Sequence, residues 1–188
     1  MTNTRDQIIE KTCELLELQG YHATGLNQIL RESGSPKGSL YYHFPGGKEE
    51  LAVESVERVG NIVLRRIREN LAAVDDPADA IQTFIGYVAY NVEQSGFQAG
   101  GPITTVALET AASSEALRGV CHHIYSDWIA AFAERLTTAS INEERAMRLA
   151  HLIVATLEGG IILCRTSRSR QPLEDAAQEI AGLIRGVT

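Results

Sequence analysis

Ser35-Pro36 and Pro45-Gly46-Gly47 leave room for only about two turns of helix between them, and this short bracketed segment constrains the chain most. Ser35 suits a helix cap and Pro36 the first helical position, where a missing N–H costs nothing. Pro45 and the two glycines behind it stop the helix at once. Leu40 and Phe44 fall four apart on one face, fit to anchor in a core. Lys37, Ser39, Tyr41, Tyr42 and His43 then point elsewhere, a cluster of donors and aromatic hydroxyls with Gly38 among them. A helix so short and so polar outside adds little stability. It reads as a recognition helix for a phosphate-bearing surface.

The residues upstream supply the rest of a helix-turn-helix. From Arg5 to Gln19 the apolar residues Ile8, Ile9, Cys13, Leu15, Leu16 and Leu18 form a broad helical stripe. Gly20 ends that helix, and Tyr21 to Ala23 make the crossing. Thr24 then caps a second helix whose Leu26, Ile29 and Leu30 repeat at helical spacing. Gly34 closes it, leaving a turn of about three to four residues before the third helix, the connection length of this motif.

Beyond Lys48 the helical rhythm continues, and no alternating strand pattern interrupts it. One helix runs from Lys48 to about Leu71. Asp75-Asp76-Pro77 breaks it, with Asp76 capping the next helix and Pro77 at its first position. That helix carries Ile81, Phe84, Ile85, Val88, Ala89 and Val92, then dissolves into Ser95 to Pro102. A short helix follows near Ile103 to Ala111, and another runs from behind Ser113 or Ser114 to about Thr137. Asn142 caps a further helix ending near Arg165, and Pro172 opens the last, ending at Val187. The expected fold is all-α with about nine helices, a three-helix module over residues 1–50 joined to a helical bundle over 51–188.

Charge enters because a nucleic-acid binder is expected to be basic, whereas this 188-residue chain carries a net −7. Residues 1–48 hold five basic and five acidic residues, while residues 49–188 hold 12 basic and 19 acidic ones. The negative charge therefore lies outside the module, and from His22 to Lys48 only Glu32 is acidic. A neutral module with Lys37, His43 and Lys48 placed locally can still meet DNA, with modest long-range steering. Cys13, Cys121 and Cys164 are far apart, lack zinc-like or redox spacing and sit in apolar helical patterns, so each reads as a small buried hydrophobe. No N-terminal run resembles a signal peptide and no uncharged stretch is long enough for a membrane span, so a cytoplasmic protein without a membrane partner is expected.

Catalysis finds no foothold in the motifs. Gly46-Gly47-Lys48-Glu49 lacks the upstream glycine and the Ser/Thr of a phosphate loop, and no dinucleotide, serine-hydrolase or zinc-protease signature is present. Glu109 and Asp127 are single carboxylates, and His122-His123 has no metal spacing. The expectation is a protein that is not an enzyme and needs no cofactor or metal.

Residues 5 to 51 resemble the DNA-binding module of the TetR family of bacterial transcriptional regulators. The matching stretches are Gly20-Tyr21 with Thr24, Ile29, Gly34, Lys37-Gly38, Leu40-Tyr41-Tyr42-His43-Phe44 and Lys48-Glu49-Glu50-Leu51. Phe44-Pro45-Gly46-Gly47-Lys48, with Gly100-Gly101-Pro102-Ile103 and Ala107-Leu108-Glu109, is similar to the LmrA/YxaF-like branch. The resemblance implies a repressor released from its operator by a small-molecule effector, with activation by the same fold as an alternative. A helical protein-interaction adaptor that does not bind DNA is the rival from another class, and the outward Tyr41, Tyr42 and His43 argue against it.

Site expectations follow. Tyr42, His43 and Lys48 look like phosphate ligands, with Lys48 at a helix start whose free N–H groups also attract anions. Lys37, Ser39 and Tyr41 stand nearest the bases, and Gly38 lets the helix sit close in the major groove. Thr24 and Ser35 complete the DNA-contact set. Many relatives carry a hydroxyl residue after the position of Thr24; here it is Gly25. The resemblance implies a pocket for a small apolar or amphipathic effector, with Phe84, Tyr87, Val88, Phe97, His123, Trp128 and Phe132 as candidate lining. Leu149, Ile153, Leu157, Gly160, Ile161 and Cys164, with Ala177, Ile180, Ala181 and Ile184, form a stripe through which two copies can build a four-helix dimer bundle. A twofold homodimer matches a pseudo-palindromic duplex with half-sites about 34–36 Å apart.

Overall fold

Local sequence sets where each helix starts and stops. The computed structural model describes residues 3–186, and among these it contains nine α-helices and no strand. The first is α1 (Thr4–Ala23), which Asn3 caps by accepting from the Arg5 N–H. Next come α2 (Leu26–Ser33) and α3 (Lys37–His43). Gly34, in the left-handed region at φ 66°, ends α2 as few other residues can. The long α4 (Gly47–Ala72) precedes α5 (Pro77–Gln94), and Asp76 caps α5 by accepting from the Asp79 N–H at 2.8 Å. After α6 (Thr104–Thr110), α7 (Glu115–Thr137) begins behind Ser114, whose hydroxyl accepts from the Leu117 N–H. Asn142 caps α8 (Glu143–Ser167), and α9 (Gln171–Arg185) is the last. The expected end at Val187 lies outside the described residues.

The helices fall into two units. The first holds α1, α2, α3, α4 as far as Asn61, α6, and α7 as far as Ile124. Its core is built from Ile8, Ile9, Leu15, Ile29, Leu40, Phe44 and Leu51, with Cys13, Leu26 and Leu30 packed around it. Side chains on α1 and α4 pair along the rim: Arg58 reaches Asp6 at 2.8 Å and Glu10 at 3.2 Å, and Arg5 reaches Glu54. These groups are part-exposed, so each pair contributes at most about 1 kcal/mol. Gly60 lets α4 and α7 approach closely, since a Cβ there would lie 2.5 Å from Ile124 Cδ1.

The second unit holds the remainder of α4 and α7 together with α5, α8 and α9. Helix α5 packs against α8 and α9, and α8 against α9. Phe84 and Phe132 meet edge to face in its interior, ring centres 5.7 Å apart. Arg135 closes the far end of α4: its guanidinium donates to the carbonyls of Leu71 at 3.1 Å, Val74 at 3.0 Å and Asp75. A helix end leaves carbonyls without partners, and a cation is the favoured cap there.

This division differs from a single cut at residue 50. Helix α6, far along the chain, packs against α1, and the first half of α7 stays with it. By length and composition α8 is apolar enough to cross a membrane, yet its inward side is buried in the second unit, as in the core helix of a bundle.

Candidate nucleic-acid interface

The interface is built outward from Leu40 and Phe44. Both are fully buried, and they fix α3 on the core by one face. The other face is open: Tyr42 is 82% exposed and Tyr41 51%, Lys37 and Gly38 are exposed, and Ser39 and His43 are half-buried. The Tyr42 and His43 rings meet edge to face at 5.0 Å. The structure thus brings Lys37, Gly38, Ser39, Tyr41, Tyr42 and His43 together on one short helix. A Cβ added to Gly38 would meet nothing within 4 Å, so nothing inside the chain requires glycine at this position.

Two members of the expected set do not join that face. Thr24 is buried, and its hydroxyl donates to the Gly20 carbonyl at 2.6 Å while accepting from Gln19 Nε2 at 3.4 Å. It ends α1, and Gly25 caps α2 instead. Ser35 is also buried and its hydroxyl has no partner, while Pro36 takes the cap position of α3. Local capping preference placed both caps one position too early. Both hydroxyls thus lie off the open face of α3.

Lys48 sits in the first turn of α4 with its ammonium 4.3 Å from the centre of the Tyr21 ring. Partial burial pulls its pKa below the ordinary lysine value, and the negative charge of Glu109 works against that pull.

The end of α1 holds what the sequence did not signal. The chain leaves helix at Gly20 as expected, at φ 79° and ψ −179°, but the crossing from Tyr21 to Ala23 is itself a further helical turn. Glycine is required twice over. The φ lies where side chains are strained, and a Cβ would overlap the Glu109 carboxylate and stand 2.8 Å from the Thr105 methyl. Glu109 Oε2 accepts from the His22 N–H at 2.8 Å. Gln19 Nε2 donates to the Ala23 carbonyl and to Gln28 Oε1, both at 2.9 Å, tying the turn to α2. Gln19 and Gln28 are polar residues on helices that nothing in one sequence marks off from a solvated surface, and Glu109 stands out only as part of a resemblance, with no partner assigned.

The effector candidates scatter. Phe84, Trp128 and Phe132 are buried in the second unit, Val88 and Phe97 are half-buried there, and Tyr87 is exposed on α5. His123 is exposed and, unlike the other six, belongs to the first unit. An open cavity of about 500 Å³ lies instead among Arg68, Leu71, Ala131, Glu134, Arg135 and Thr138, and none of the seven candidates lines it.

The expected dimer stripe requires a correction. Leu149, Ile153, Leu157, Gly160, Ile161, Cys164, Ala177, Ile180, Ala181 and Ile184 are all buried within the single chain, so they are not free for a partner. Gly160 serves the contact of α8 with α9, where a Cβ would overlap Leu173. The outward apolar residues of the same helices are Met147, Leu152, Ile162, Leu163 and Leu183.

A two-turn helix carried outward on a three-helix core, with its anchors buried and its polar face bare, defines a helix-turn-helix protein of the transcription-regulator class. Residues 8–54 match the profile of the bacterial regulatory proteins of the tetR family, and residues 77–179 match the transcriptional regulator LmrA/YxaF-like C-terminal domain. The chain belongs to the TetR family of DNA-binding transcriptional regulators, with an LmrA/YxaF-like C-terminal domain. It is 44% identical over 183 residues to the HTH-type transcriptional regulator YxaF of Bacillus subtilis, covering 97% of this chain and 96% of that one. To the HTH-type transcriptional regulator LmrA of the same organism it is 39% identical, covering 97% of each. Among solved structures, a TetR transcriptional regulator from Chloroflexus aurantiacus superposes with a TM-score of 0.83 at 29% identity, covering 97% of this chain and 94% of that one. The TetR family regulator CifR, solved as a cysteine mutant with 26-bp double-strand operator DNA, shares the fold at a TM-score of 0.81, with 19% identity and 94% of each chain covered.

Proposed function

We propose that the protein is a repressor that binds a pseudo-palindromic operator as a homodimer and is released by a small apolar or amphipathic effector. The exposed polar face of α3, held by two buried anchors, is the observation that carries this reading. Lys37, Ser39 and Tyr41 face the bases, and Tyr42, His43 and Lys48 face the phosphates. Lys48 rests over Tyr21 in the free protein, and a phosphate arriving at the start of α4 would draw it outward. In the dimer two copies of α3 enter successive major grooves, and the binding of double-strand operator DNA by the relative CifR supports a duplex partner. The outward apolar residues of α8 and α9 meet their twofold mates, giving α8 a use for both of its faces.

Helix α4 runs unbroken through both units, so a ligand that prefers a different placement of its later turns is felt at Lys48. Release extends only as far as the ligand prefers the non-binding conformation. The protein works beside the chromosome, in the cytoplasm, and catalyses nothing.

Binding of duplex fragments selected from genomic DNA tests this, measured across a salt series. Lys48→Ala and Tyr42→Ala are each expected to weaken binding to every duplex and to lower the salt slope by about one. Slopes equal to the unsubstituted protein's in both variants would reject the phosphate roles.

A further inference from the structure

The last turn of α1 is held by a residue more than eighty positions away. The break at Gly20 makes the following turn a fresh helix start, and the first N–H groups of such a start have no carbonyl behind them. Glu109, on α6, supplies an acceptor from outside: its Oε2 takes the His22 N–H at 2.8 Å. The other carboxylate oxygen fills the niche that glycine leaves at residue 20. The Glu109 backbone carbonyl faces His22 Nε2 at 3.3 Å, and Thr105, one turn earlier on the same face of α6, sets its methyl against Gly20. Two side-chain oxygens, one backbone oxygen and a methyl thus converge on a single turn.

That turn adjoins groups assigned to DNA contact. Tyr21, the first residue after the break, carries the ring beneath Lys48. Through Gln19 the turn is tied to Gln28 on α2. We propose that Glu109 is a positioning residue for DNA binding: its carboxylate fixes the turn after Gly20, and with it the seat of Lys48 and the start of α2. This rests on reading the module as DNA-binding and adds a residue that touches no nucleic acid. The contact is a charge-assisted hydrogen bond to a backbone amide, the stronger kind. What it needs at that point is an acceptor oxygen.

The test uses the full chain, unsubstituted and as Glu109→Ala, Glu109→Met and Glu109→Gln. Each is titrated against the duplex that the unsubstituted protein retains from genomic DNA, over a salt series, and the His22 amide exchange rate is read without DNA. Glu109→Ala and Glu109→Met are expected to bind about tenfold more weakly, on the scale of one hydrogen bond to a charged group. Their salt slope stays unchanged, because no phosphate contact is deleted, and the His22 amide exchanges faster. Glu109→Gln keeps a side-chain oxygen and recovers most of the affinity. Glu109→Met fills the volume without an acceptor, so it reads the contact even if Glu109→Ala fails to fold.

Equal affinity in Glu109→Met and the unsubstituted chain, or Glu109→Gln binding as poorly as Glu109→Met, would overturn the positioning role alone. An unsubstituted chain that retains no duplex overturns the DNA-binding reading before any variant is compared.

Discussion

Gly38 shows how a single atom separates folding from function. Its missing Cβ faces open space, and alanine favours a helix over glycine by up to about 1 kcal/mol. Gly38→Ala is therefore expected to melt no lower than the parent chain, while its duplex affinity falls about fivefold or more as the methyl holds α3 off the groove; calorimetry with fluorescence anisotropy reads both. The cysteines behave differently. Burial pushes the Cys13 and Cys121 thiols up from an ordinary value near 9 to about 11. The folded state then binds more protons than the unfolded one between those values, so this contribution is complete below pH 9 and is lost as pH rises through 11. Urea titrations from pH 8 to 11 are expected to show stability falling, with a shallower fall in Cys121→Ala. Residue types at α3 were legible because its two anchors are four apart and everything else must face out. Thr24 and Ser35 misled because a hydroxyl beside a helix start serves equally as cap, as internal bond or as phosphate ligand. For Thr24 the path of the backbone at Gly20 decides, since the hydroxyl bonds the carbonyl there.

At the level of helices, adjacent glycines on α8 make opposite predictions. A Cβ on Gly160 would overlap Leu173, whereas one on Gly159 would meet nothing within 4 Å. Gly160→Ala is expected to cost roughly 1–3 kcal/mol through overpacking, and Gly159→Ala to be neutral or slightly stabilising as far as the single chain is concerned. Urea unfolding at low protein concentration measures the pair. The helices themselves were legible almost throughout, since Asp76-Pro77, Ser114 and Asn142 are caps with local chemistry. Legibility stopped at partners. Nothing near Arg135 shows that its guanidinium closes α4, because the three carbonyls it meets lie about sixty residues back.

For the whole molecule, α8 was hard to read because it is apolar on both sides. One stripe had to be the core and the other the free surface, and periodicity alone does not say which. Burial assigns Leu149, Ile153 and Leu157 inward and leaves Leu163, 58% exposed, outside. Leu163→Arg is accordingly expected to yield folded monomers with weak duplex affinity, whereas Leu157→Arg would damage the fold itself; sedimentation with circular dichroism distinguishes them, and an intact Leu163→Arg dimer would reject that face. A division in two was legible, but the place of α6 in the first unit was not, since it joins α1 by packing across a long separation. One dimension of the molecule bears on regulation. At about 1.5 Å per residue, the seven residues of α3 span about 10 Å, the length of roughly three base pairs. A single subunit thus samples too little text to be selective in a genome. Discrimination has to come from reading two such words at a fixed interval, so the interval itself becomes part of the message.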